Sequence, residues 1–81
     1  MLRITTVVKS PTRVILKLEG RLVSDWVTLV ERECLTWLRD DRMVRLDLAE
    51  VTFVDRRGAA MLRRIGSDRL QIIHASALIM A

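Results

Sequence analysis

The sequence predicts an α/β fold: a mixed β-sheet with an N-terminal hairpin and β-α-β crossovers, its helices packed on the sheet. Three observations predict it. Two runs rich in β-branched and aliphatic residues flank the turn-like cluster Lys9-Ser10-Pro11-Thr12. Beyond them, segments with strand-like alternation take turns with segments whose apolar residues recur at helical spacing. No internal repeat or low-complexity stretch interrupts this order.

Leu2 to Val8 reads as the first strand and Val14-Ile15-Leu16-Lys17-Leu18 as its hairpin partner, which Glu19-Gly20 is expected to stop. Ser24 stands where a helix N-cap belongs, and Asp25 puts negative charge in the first turn. From Asp25 to Leu38, the residues Trp26, Val27, Val30, Cys34, Trp37 and Leu38 share one broad face, with Thr28, Arg32 and Thr36 outward. Both tryptophans therefore face the core. The run Arg39-Asp40-Asp41-Arg42 reads as a mixed, solvated turn.

Alternation resumes over Met43 to Leu48; a short link is expected, and then Val51-Thr52-Phe53-Val54 leads into a helix start at Asp55-Arg56-Arg57-Gly58. In that helix Gly58, Met61, Leu62 and Ile65 lie together. Arg56 and Arg63 lie opposite them, Arg57 and Arg64 flank them, and Gly66-Ser67-Asp68 closes the helix. Leu70 to Ile73 is a short strand. Ser76 is placed to cap a final helix over Ala77 to Ala81, barely one turn long, which leaves Leu78, Ile79 and Met80 to be covered by the core or by a second subunit in a homodimer.

With 81 residues the whole chain, 1–81, is expected to build one core and one domain, and its 51% hydrophobic and 30% charged residues are those of a folded protein. No apolar run approaches the roughly 18 residues that cross a bilayer, and the first residues lack the layout of a signal peptide. The lone Cys34 has no disulfide or metal-ligand partner at a recognisable spacing. Together these point to a reducing, cytoplasmic location, with Cys34 as a small core residue.

Catalysis needs a nucleophile with its base, paired carboxylates in a cleft, or a metal cluster, and the sequence assembles none of them. His74 is the single histidine. There is no glycine-rich dinucleotide fingerprint, no phosphate loop and no paired-cysteine motif, so no cofactor, no metal and no enzyme activity is expected.

The net charge of +4 comes from 12 arginines and two lysines against ten acidic residues. Most arginines stand singly beside acidic neighbours; Arg56-Arg57 with Arg63-Arg64 is the exception. Asp55 is suited to order the turn ahead of that helix by accepting backbone N–H bonds, and Gly58 to close helix–sheet packing. Ala59 and Ala60, set among the arginines, would let a partner's backbone approach with charges at the rim.

The stretch Val51 to Leu62 also carries a resemblance. Together with Leu16-Lys17-Leu18-Glu19-Gly20-Arg21-Leu22 and Val44 to Leu48, it is similar in order and spacing to the STAS domain, the fold of bacterial anti-sigma factor antagonists and of the cytoplasmic tails of sulfate transporters. The likeness covers residues 3 to 76. It implies a protein-binding module in bacterial transcription regulation whose partner is a regulatory protein such as an anti-sigma factor or kinase. In that family a serine directly after the signature aspartate is the phosphorylated switch; here Arg56 holds that position and Arg57 replaces the next serine. Arginine has no hydroxyl to accept a phosphoryl group and carries the charge opposite to phosphoserine's. Arg21 and Val23 also stand where the family often has acidic residues, the second helix is about a turn short, and the last is a stub.

The expected function is therefore a phosphorylation-insensitive interaction module that docks through Asp55, Arg56, Arg57, Gly58, Ala60, Arg63 and Arg64, and through the loop after Gly20. A second reading is an anion or nucleotide sensor with its ligand at the N-terminus of the helix that starts near Arg56. Nucleic acid is a weaker third, because no exposed aromatic residue is expected beside the arginines.

Overall fold

Six elements occur in the order β1 (Leu2–Lys9), β2 (Arg13–Leu22), α1 (Asp25–Arg39), β3 (Met43–Val54), α2 (Arg56–Ile65) and β4 (Leu70–Ile73). The computed structural model describes residues 1–75, the side chains of Val8 and Lys9 excepted. The expected final helix from Ser76, and the homodimer contact through Leu78, Ile79 and Met80, lie outside the described residues.

The sheet order is β1-β2-β3-β4, with β1 antiparallel to β2 and both β2–β3 and β3–β4 parallel. This is the mixed α/β sheet that the sequence predicts. Both crossovers step the same way across the sheet, so right-handed connections place α1 and α2 on one face. Alternation along the strands matches that arrangement: Val14, Leu16 and Leu18 of β2, Val44, Leu46 and Leu48 of β3, and Leu70 of β4 are buried against the helices. From the helices come Val27, Val30 and Cys34, then Met61, Leu62 and Ile65. Trp26, Trp37 and Leu38 are half-buried against this core. Burial pushes the Cys34 thiol up to about 12, so it stays protonated and packs as a small apolar side chain.

Four local expectations are corrected. Gly20 does not stop β2, which runs on to Leu22: a left-handed φ of 108° carries the strand past Met1, whose carbonyl oxygen would collide with any Cβ at that position. Nor does a link divide β3. Its ladder to β2 shifts register between Lys17 and Glu19, and the Asp47 carboxylate accepts the Ala49 N–H at 3.0 Å, so the irregularity is absorbed inside one continuous strand. Ser24 occupies the N-cap position of α1 but its hydroxyl makes no capping hydrogen bond. In the turn after α1, Arg42 is half-buried, lying over the Trp37 ring at 5.0 Å and pairing with Asp40 at 3.2 Å.

Candidate functional site

The carboxyl ends of the parallel strands β2 and β3 point the same way and release the chain into two short connections, Val23-Ser24 before α1 and Asp55 before α2. Asp55 ties them together. Its Oδ1 accepts the Gly58 N–H at 2.7 Å, capping α2, and its Oδ2 accepts the Ser24 N–H at 2.9 Å across 31 residues of sequence. Its own N–H donates to the Leu22 carbonyl at 3.2 Å. Ser24 holds a left-handed φ of 52°, a conformation unfavourable to serine, and this N–H bond accompanies it. The side chain that the sequence marks as an N-cap therefore caps α2 and also locks the neighbouring connection.

Those bonds hold the Asp55 carboxyl below its ordinary value of 3.8: the Ser24 N–H contributes most, then the Gly58 N–H, with the Arg57 charge and N–H adding to them. The Asp47 carboxyl is lowered as well, first by the Ala49 N–H and then by the His74 ring 3.0 Å away. A carboxyl lowered on folding stabilises the native state fully above its unfolded pKa, and that contribution is lost as pH falls through the folded pKa. The stability gap between wild type and Asp55→Asn is therefore expected to be constant above about pH 5 and to narrow toward about pH 2, as urea unfolding across that range will measure.

Gly58 is buried where α2 meets the sheet. A Cβ there would lie 2.8 Å from Val54 Cγ1 and 2.9 Å from the Leu22 carbonyl oxygen, so the absence of a side chain sets how closely the helix sits. Outward from this contact, α2 exposes Arg56, Arg57, Ala60, Arg63 and Arg64. Arg64 reaches across to α1 and pairs with Glu31 at 2.7 Å. Of the predicted site residues, Asp55 and Gly58 thus shape the surface and Arg64 braces the two helices. Arg56, Arg57, Ala60 and Arg63 face solvent.

One member of this neighbourhood is not evident from the sequence. Phe53 is 47% exposed, with the Arg21 guanidinium 5.1 Å from its ring centre. Arg21 pairs with Phe53 in the β2–β3 ladder after a register shift that leaves Thr52 as the extra residue. The expectation that no exposed aromatic accompanies the arginines is thereby corrected. The residues after Gly20 are also the end of a strand, not a loop.

In open α/β sheets small ligands settle in the crevice where strand order reverses. Among the described residues the parallel strands do not reverse, and two surface depressions lie elsewhere, on α1 and its C-terminal turn, around Thr28, Leu35 and Thr36. Among the described residues no group of three His, Cys, Asp or Glu could hold a metal ion, and no helix is long and apolar enough to cross a membrane.

No protein-family model matches the sequence, and no curated protein is recognisably similar to it. Solved structures are. An antisigma-factor antagonist STAS domain from Rhodobacter sphaeroides superposes with a TM-score of 0.66 over 96% of this chain and 95% of its own, at 19% identity. The fold is that of a STAS domain. The unphosphorylated anti-sigma factor antagonist SpoIIAA matches with a TM-score of 0.62 at 14% identity, over 76% of this chain and 58% of its own length. The STAS-like fold places the turn Asp55-Arg56-Arg57-Gly58 at the carboxyl end of its central parallel strands, beside the Val23-Ser24 connection.

Proposed function

We propose that this STAS-like domain, residues 1–81, is a non-catalytic interaction module of the anti-sigma factor antagonist type. It docks a regulatory protein, such as an anti-sigma factor or a kinase, in the cytoplasm, through Asp55, Arg56, Arg57, Gly58, Ala60, Arg63 and Arg64, and so takes part in bacterial transcription regulation. The observation that carries this reading is the double hydrogen bond of Asp55, which fixes both connections at the strand ends before any partner arrives. A surface ordered in advance loses less entropy on docking. Arg56 cannot accept a phosphoryl group, so docking does not respond to serine phosphorylation at that position.

The sensor reading is less favoured by the same geometry. The Gly58 N–H, which an anion at the start of α2 would need, already donates to the chain's own carboxylate. The test is affinity capture from the native cell with wild type and Arg56→Glu/Arg57→Glu, every retained protein being quantified. One regulator retained by wild type and lost by the double variant, with circular dichroism unchanged, is the expected result. If neither form retains a specific protein, and phosphate or nucleotide instead raises the Tm, the sensor reading replaces this one.

A further inference from the structure

β1 forms one edge of the sheet, and among the described residues no strand pairs with its outer side. Its backbone groups alternate between two directions, and one bond sets the phase: the Arg21 N–H donates to the Met1 carbonyl at 3.3 Å. Met1 thus continues the register that pairs Leu2 with Gly20 and Arg3 with Glu19, so Arg3 and Thr5 also turn their N–H and C=O groups toward β2. Those of Leu2, Ile4 and Thr6 point outward, along the free edge. The helix layer stops short of them: α1 crosses from β2 to β3 and α2 from β3 to β4, and Thr6 is exposed although its ladder partner Leu16, on the same side, is fully buried.

Free edges are ordinarily blunted by proline, by charge or by a bulge. From Leu2 to Thr6 there is no proline, and Arg3 is the one charged residue. The bulge comes later, between Thr6 and Val8.

We propose that β1 pairs antiparallel with β1 of a second copy of this chain, about a two-fold axis at Ile4, joining two sheets into one. This goes beyond the docking reading and does not depend on it. Self-complementarity selects both the occupant and the register. A two-fold axis normal to the sheet keeps residues of one face opposite each other, so it must pass through a residue and not between two. At Leu2 it would leave only Met1 to Arg3 to pair. At Arg3 it would set two guanidinium groups opposite each other, and at Thr5 or Thr6 it would carry the ladder into the bulge. At Ile4 the ladder stays within the regular stretch. Leu2 then meets Thr6 of the second copy and Ile4 meets its own equivalent, each pair exchanging both its N–H···O bonds, while Arg3 lies opposite Thr5 and no like charges face. Ile4, half-buried against the core, continues that core across the axis. Because α2 packs over β3 and β4, away from this edge, its outer face stays open in both copies.

The experiment is hydrogen exchange of the unaltered chain as its concentration is raised, with sedimentation velocity on the same samples. So short a ladder gives a weak dimer, populated on the order of 100 µM and above. The Leu2, Ile4 and Thr6 amides should exchange rapidly in dilute samples and slow at least about tenfold in the dimer, while those of Arg3 and Thr5 stay protected throughout. Thr6→Pro, which removes an outward N–H and spares the ladder to β2, should weaken the dimer. Under mild oxidation Ile4→Cys should cross-link to itself, since Cα atoms in such a pair lie about 5.5 Å apart, within disulfide reach. Thr5→Cys, set opposite Arg3 and not opposite its own equivalent, should not. A chain that stays monomeric at every concentration, a dimer that leaves the three outward amides fast, or cross-linking through Thr5→Cys in place of Ile4→Cys overturns the proposal.

Discussion

Leu46→Ala is expected to lower stability by about 2–5 kcal/mol. Leu46 is fully buried in β3, a strand paired on both sides, against Leu16 in β2 and Ile72 in β4. Removing its isobutyl group opens a cavity under both helices, and a sheet held by ladders on each edge cannot collapse to fill it. A domain of this size has only about 4–12 kcal/mol in total, so the variant should melt about 10–30 °C lower. Thermal unfolding followed by circular dichroism measures this. A drop of only a few degrees would mean that β3 relaxes far more freely than its pairing allows.

Gly58→Ala is the second large effect, and two terms oppose each other. Alanine gains about 1 kcal/mol of helix propensity over glycine. Against it, the added methyl meets the stiff Val54 side chain and the Leu22 carbonyl below 3.0 Å, an overpacking that costs about 1–3 kcal/mol. Because the backbone carbonyl cannot rotate away, overpacking wins, and Gly58→Val should be worse still. The Leu22 carbonyl also accepts the Asp55 N–H, so pushing α2 outward loosens the turn that Asp55 caps. Urea midpoints should fall, and hydrogen exchange should speed up at the Ser24 and Gly58 amides before it does at Leu46. Equal protection at all three would show that the helix moves without disturbing the turn.

How legible this was in the sequence depends on how local each determinant is. The buried faces of α1 and α2 follow from a 3.6-residue period and are found where that period puts them: Gly58, Met61, Leu62 and Ile65 are all buried. The capping role of Asp55 is local too. Its second bond, to Ser24, joins residues 31 apart, and no spacing rule reveals it. That same bond explains why Ser24 does not cap with its hydroxyl. Phe53 was hidden for a different reason: an apolar residue in an apolar run reads as core, and only the register shift beside Thr52 turns it outward with Arg21. At Gly20, a residue type that ends many strands instead lets this one continue.

The two partners of β2 lie at very different distances along the chain, and this orders the folding reaction. β1 reaches β2 through residues 10–12, so that hairpin closes with little loss of chain entropy. Pairs such as Val14 with Val44 and Leu16 with Leu46 span 30 residues and must wait for α1 to cross the sheet. The meeting of Ser24 with Asp55 depends on that late ladder. During synthesis a nascent chain can therefore possess its hairpin and its first helix before the Ser24–Asp55 bond exists. Under the proposed function, partner recognition would become a readout of completed folding, and half-made copies would not compete for the partner.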